Sequence, residues 1–411
     1  MPKRKVSEAL PVLSHPDTGS KKLKTRVSLD GAGRVGVFGT GECAQLGLGD
    51  MLLERKFPMF VGRNTEMFES SIESMSAGGI HNAVVDTNGR VFTWGCNDEK
   101  ALGREGNEWI SDAVVEVISG ERVVKVACGD SHTIALTEKG EVYAWGAYRD
   151  EQGLMGFNRD SNEPCVIPTR VTLPTRARIV DIVSGLNHSV ILSSSGEIFE
   201  WGHIRIGQRI ARHRRKGLLT PRLVNVKRFG KVVRVFAGGY QSFAITGDDR
   251  VFTWGLNQYG QAGTDSTEER LHKPVEVKAL SGRGVVKITA GLHHSLALTS
   301  DGRVFSFGRN NYGELGMGNL DELRVPTQVP SLADIVDIAC GSTHSLAVDQ
   351  MGMVYSCGFG AMLQLGNGEP EDRLSFEPVV GKMLESGYAV VAADAGAQHS
   401  LILVRERQAS G

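Results

Sequence analysis

No run of eighteen apolar residues occurs anywhere in the 411-residue sequence, so no transmembrane helix and no membrane partner are expected. No apolar stretch follows the start, which argues against a secretory signal. The six cysteines (Cys43, Cys96, Cys128, Cys165, Cys340, Cys357) are scattered and include no C-x-x-C pair, so neither a zinc site nor a disulfide framework is expected. Free thiols fit a reducing compartment. There is no G-x-x-x-x-G-K-[ST] phosphate loop and no nucleophile–base constellation. The chain is therefore expected to perform no covalent chemistry and to need no cofactor or metal. What is plentiful is glycine, 51 residues, which suits a protein of many tight turns rather than helices.

Charged residues at 23% and hydrophobic residues at 41% describe an ordinary soluble globular chain. The net charge of −1 is unevenly spread. Residues 1–26 hold seven cations (Lys3, Arg4, Lys5, Lys21, Lys22, Lys24, Arg26) against Glu8 and Asp17, a net of +5 that leaves −6 on the remainder. A basic tail of 1–30, rich in Pro and Ser/Thr and expected to be disordered, thus precedes an acidic body at 31–406.

The body is a repeat. The motif G-x-x-H ends at His81, His132, His188, His294, His344 and His399, and a further copy has Gln241 in its place. Successive copies lie 51, 56, 53, 53, 50 and 55 residues apart. Fourteen residues after six of them stands a glycine, usually behind an aromatic: Trp94-Gly95, Trp145-Gly146, Trp201-Gly202, Trp254-Gly255, Phe307-Gly308 and Cys357-Gly358. Between the two marks lies a hairpin, such as His132 to Leu136, a glycine turn at Gly140, then Val142 to Trp145. An apolar run before each G-x-x-H (Val124 to Ala127) and a P-x-x-V segment (Pro168 to Val171) complete four strands per unit, the size of a propeller blade. The last G-x-x-H has no aromatic-glycine after it, while Phe38-Gly39 has no G-x-x-H before it. The fold expected is an all-β, seven-bladed propeller whose N-terminal strands complete the last blade and so remove the open edges.

The motifs carry a resemblance. Gly129-Asp-Ser-His-Thr-Ile-Ala-Leu136 and Trp254-Gly-Leu-Asn-Gln-Tyr-Gly-Gln-Ala-Gly263 are similar to those of the regulator of chromosome condensation family, over residues 35–404. WD repeats are shorter and end in Trp-Asp, and kelch repeats space Tyr and Trp differently. The family's members include an exchange factor for the small GTPase Ran, exchange factors for other GTPases, ubiquitin ligase domains and a plant ultraviolet receptor. The last lacks support, because four of the five tryptophans belong to the repeat and the other is Trp109.

Function is expected where the sequence departs from its own pattern. The aromatic-glycine lies eight residues from the closing glycine in most units, as from Gly255 to Gly263. In Gly146-Ala-Tyr-Arg-Asp-Glu-Gln-Gly-Leu-Met-Gly156 the interval is ten, and a polar projecting loop of Tyr148, Arg149, Asp150, Glu151 and Gln152 is expected. A bare insertion is the plain alternative. The resemblance implies more, since the Ran exchange factor carries a wedge here that presses on the nucleotide site of the GTPase. The second departure follows Gly202, where the closing glycine is missing and Arg205, Arg209, Arg212, Arg214, Arg215 and Lys216 stand with no acid among them. Such a run repels itself and suits an anionic partner, arginine favouring bidentate contact with carboxylate or phosphate. By resemblance, this loop meets the acidic surface of the nucleosome.

The recurring histidines are too many to be ligands or catalysts, and a structural tie of strand to turn within each blade is expected. The polar residues beside them differ between blades: Asp130, Asn187 and His293. The resemblance implies that these positions serve exchange, with Asn187 departing from the family's Asp. The two basic clusters of the tail resemble a bipartite nuclear import signal read by an import receptor, and would also be attracted to DNA phosphates. The expected function is guanine nucleotide exchange on Ran, performed on chromatin in the nucleus. The partners would be Ran and the nucleosome, both its histones and its DNA. The alternatives are exchange on another small GTPase and a non-catalytic scaffold.

Overall fold

The structure is a computed structural model and describes residues 29–49, 52–63, 65–106, 113–115, 120–158, 163–203, 216–226 and 230–408. Seven four-stranded antiparallel sheets follow one another round a ring, giving a seven-bladed β-propeller. Blade two is typical, with the order Val123–Cys128, His132–Thr137, Val142–Gly146 and Cys165–Arg170 from the centre outward. Closure is as the two half-units required. The last blade joins Tyr388–Ala395 and His399–Arg407 to Leu29–Thr40 and Glu54–Phe60, so residues 29 and 30 belong to the ring. Val37 pairs with Leu401 and Gly39 with His399, uniting the two ends of the chain in one sheet.

Position in the blade sets the sequence of each strand. The second strand is covered on both faces by neighbouring blades, and all six residues of His132–Thr137 and of His294–Thr299 are buried. The fourth strand is an outer edge, exposes Ile167 and Val325, and contains the P-x-x-V prolines, which an edge tolerates. The first strands line the central channel. Four residues before the blade glycine, five of the seven blades place a charge, Lys125, Asp181, Arg234, Lys287 and Asp337, with ion pairs of 2.6 Å between Lys125 and Asp181 and between Lys287 and Asp337.

The repeated histidines join blade to blade, not strand to turn within a blade, which corrects the sequence expectation. Each imidazole Nε2 meets the residue that follows the histidine (or Gln241) of the next blade. The distances are 2.8 Å from His81 to Thr133, 3.1 Å from His132 to Ser189, 2.9 Å from His188 to Ser242, 3.0 Å from His294 to Ser345 and 2.8 Å from His344 to Ser400. His399 reaches Asn82 Oδ1 at 2.7 Å and closes the circle. Gln241 makes weaker bonds at 3.5 Å to Ser295 and to the Gly291 carbonyl. The first glycine of G-x-x-H is needed because a Cβ on Gly129 would lie 2.1 Å from its own His132 ring and 2.8 Å from the Gly185 carbonyl of the next blade. Burial drives these imidazoles towards the neutral form, His81 and His188 to about 4 and His294, His344 and His399 to about 3.

Candidate functional site: one rim of the ring

In every blade the G-x-x-H turn and the loop after the aromatic-glycine lie at the same end, because the histidine pairs with that glycine, as His132 does with Gly146 and His294 with Gly308. Antiparallel topology therefore gathers Asp130, Asn187, His293 and the inserted loop on one rim of the ring.

Three of the loops on that rim are held by a buried asparagine two residues after the glycine. Asn257 donates from Nδ2 to the carbonyls of Ser266 at 3.1 Å and Glu268 at 3.0 Å, and its Oδ1 accepts the Ala262 amide at 3.3 Å. Asn310 and Asn97 do the same in their blades. In blade two this slot holds Tyr148, and the clamp is replaced by a hairpin of Tyr148–Asp150 and Gly153–Gly156. The inserted residues do project, with Arg149, Glu151 and Gln152 exposed, but Tyr148 does not. That expectation is corrected: Tyr148 is fully buried at the base. Its ring lies 4.3 Å from that of His132, and its hydroxyl meets Ser189 Oγ at 3.0 Å and accepts the Trp201 indole N–H at 2.6 Å. The indoles of Trp94 and Trp145 donate to a loop carbonyl of the preceding blade, Gln45 at 3.0 Å and Ala101 at 2.7 Å, and that of Trp254 to the Glu200 carboxylate at 2.8 Å. The tyrosine hydroxyl supplies the acceptor that the remodelled loop cannot.

The tip of the hairpin is held by the blades on either side. Arg149 pairs with Glu99 of blade one. Asn187 Oδ1 accepts the Arg149 amide at 2.8 Å and so holds the hairpin from blade three. Glu151 lies 3.1 Å from His203 Nε2 of blade three. Asp130 accepts from the Ser131 hydroxyl at 3.2 Å; burial raises its pKa, and that bond and the charge of Arg149 oppose the rise.

His293 stands in an aromatic wall. Tyr259 meets it edge-on at 5.0 Å between ring centres, and Tyr240 lies at 6.4 Å. Burial, aided by the Arg309 guanidinium, pushes His293 down to about 4, so it is neutral at physiological pH. Arg309 lies over the rings of Tyr259 and Tyr312, and Tyr312 contacts Phe359 at 4.9 Å. Sequence reasoning missed this wall, and it missed Glu99 and His203. Tyr240 could have been found, because it occupies the same place before the blade's key residue as Asn187 and His293.

Arg205, Arg209, Arg212, Arg214 and Arg215 lie outside the described residues, as do the basic clusters of Lys3, Arg4 and Lys5 and of Lys21, Lys22, Lys24 and Arg26. Lys216 begins the short 3-10 turn Lys216–Leu219 on which the arginine stretch ends. Among the described residues, no group of three His, Cys, Asp or Glu could hold a metal ion, and no helix is long and apolar enough to cross a membrane.

Comparison with known proteins agrees with this geometry. Residues 34–402 match the family described as RCC1-like domain. A regulator of chromosome condensation from Xenopus laevis is 35% identical, with 98% of this chain and 95% of that protein covered. The guanine nucleotide exchange factor SRM1 of Saccharomyces cerevisiae is 30% identical over 68% of this chain and 65% of its own. The crystal structure of Prp20p from the same yeast, a protein studied for its binding to Gsp1p and histones, superposes with a TM-score of 0.84 at 30% identity, covering 92% of this chain and 93% of that one.

Proposed function

Since this chain belongs to the regulator of chromosome condensation family of RCC1-like propellers, we propose that it is a guanine nucleotide exchange factor for the small GTPase Ran that works on chromatin. The observation that carries the reading is the anchored hairpin of Tyr148–Asp150 and Gly153–Gly156, projecting from the rim that also holds Asp130 and His293. Exchange needs no bond made or broken. The protein binds nucleotide-free GTPase more tightly than the loaded form, and by linkage the nucleotide is then held less tightly. A wedge does this if its tip occupies space or contacts that the nucleotide site needs. Arg149, Asp150, Glu151 and Gln152 are that tip. Asp130 and neutral His293 offer an acceptor and a ring nitrogen to the GTPase surface beside it. Asn187 serves by holding Arg149. Which nucleotide rebinds is then set by the nucleotide supply.

The chromatin half of the function falls to the arginine stretch of 205–216 for nucleosomal carboxylates and to the tail for DNA phosphate. The tail also carries the nuclear import signal for an import receptor, which puts the protein in the nucleus. The test is release of fluorescent GDP from Ran by catalytic amounts of the protein. Acceleration well above the intrinsic rate is expected, and no acceleration leaves an interaction scaffold as the function.

A further inference from the structure

Among the described residues, the hairpin of blade two pairs with no other strand. Its strands are three and four residues long, and a two-stranded ribbon of that size is not stable in water by itself. Its direction has to come from contacts with the ring. Tyr148 fixes the base. Holds on the tip include Glu99 on the Arg149 guanidinium, Asn187 on the Arg149 amide, and His203 on the Glu151 carboxylate.

Base and tip differ in strength. Tyr148 is fully buried, whereas the side chains of Arg149 and Glu151 are 44% and 52% exposed. Exposed ion pairs contribute little and are easily exchanged for others. Their partners in the ring are better fixed, with Glu99 at 23% and His203 at 6% side-chain exposure. Burial lowers the His203 pKa against the pull of Glu151, which leaves a neutral ring whose Nε2–H donates to the carboxylate. The Glu99 and His203 holds are therefore soft on the wedge side and firm on the ring side.

We propose that Glu99 and His203 are positioning residues for exchange: one from each neighbouring blade, they keep Arg149 and Glu151 in the pose that meets the GTPase and give them up on contact. This rests on the exchange reading above. The physical gain is preorganisation, since a wedge already ordered in the free protein loses less conformational entropy on reaching the exchange complex. Such a gain is felt in the complex, so it raises the limiting rate more than it raises affinity for the loaded GTPase.

The experiment uses the full-length chain with Glu99→Ala, His203→Ala and the conservative Glu99→Gln and His203→Gln. It reads nucleotide release from Ran over a range of Ran concentrations, and amide hydrogen exchange across 148–156 in the free protein. Each alanine variant should lower kcat by roughly two- to fivefold, the range of an exposed ion pair for Glu99 and of a single hydrogen bond for His203, with KM changed less. Amides of the hairpin should exchange faster, and the glutamine variants, which keep a hydrogen-bonding group, should recover part of both losses. Unchanged hairpin protection overturns the proposal, because the residues then hold nothing. Faster hairpin exchange with unchanged or raised kcat also overturns it, because the holds are then idle or restraining. A wild-type protein that releases no nucleotide sinks the exchange reading instead, a result separable from both.

Discussion

Replacing Tyr148 with Phe removes one oxygen and almost no volume, and it isolates what the base of the wedge depends on. The hydroxyl is fully buried and accepts the Trp201 indole N–H at 2.6 Å. Without it that N–H has no partner and no water, at a cost of about 1–3 kcal/mol. Ser189 suffers less, because it keeps His132 Nε2 at 3.1 Å. If the orphaned indole is the cause, removing it should remove the penalty. Trp201→Phe will itself cost stability through lost packing, but in the double variant both partners are apolar and the orphan is gone. The four proteins form a double-mutant cycle, read by urea unfolding at equilibrium, and the two changes should couple by ~1–2 kcal/mol, the double variant being more stable than the singles sum to. Additivity within about 0.5 kcal/mol would refute the reasoning and mean that the hydroxyl is not what satisfies Trp201.

Four further outcomes are expected. His293→Ala should slow nucleotide release with the fold intact, whereas His294→Ala should destabilise the ring by breaking its 3.0 Å bond to Ser345, as thermal melts of both variants would show. Gly129→Ala should be strongly destabilising, since its Cβ would sit 2.1 Å from the His132 ring, and the yield of folded protein by circular dichroism checks it. Acid should weaken the fold. The folded-state pKa values of about 4 for His81 and His188 and about 3 for His344 lie below the unfolded value of about 6.5, so the unfolded chain binds more protons and the stability these groups contribute, full above pH ~6.5, is lost as pH falls towards 4, which urea midpoints across pH 7 to 4 would register. Finally, Arg212, Arg214 and Arg215 changed to Ala should lower nucleosome affinity while sparing free DNA. Removal of 2–26 should lower both, the DNA part falling by roughly one log unit of affinity per log unit of salt for each phosphate neutralised.

Much of the architecture was legible because a propeller repeats. A spacing of fourteen to the glycine, held from five histidines and from Gln241, can only arise if each unit has the same strands in the same register. The half-unit at each end of the chain told how the ring closes, and Val37 opposite Leu401 is that closure in atoms. The two breaks in the pattern were visible for the same reason, since an insertion after Gly146 stands out against units that lack one. The exposure of Arg149, Glu151 and Gln152 followed from their polarity.

What the repeat could not reveal is what one unit does for the next. A histidine that recurs in six of the seven blades looks internal to the blade, yet its hydrogen bond crosses to a Ser, Thr or Asn of the next blade round the ring, and spacing along a chain does not encode which surface a neighbour presents. Tyr148 read as a projecting aromatic because its chemistry is amphipathic. Only the packed ring shows that it fills the asparagine slot and faces an indole brought there by another blade. Glu99 and His203 carry no motif at all, and they matter because blades one and three flank the insertion in space. Sequence alone determined the number of blades, their order and the place where the pattern is broken, because those follow from hydrophobic periodicity and turn residues along one chain. The tertiary structure decided which side chains hold the broken place in position, because that depends on contacts between segments that only ring closure brings together.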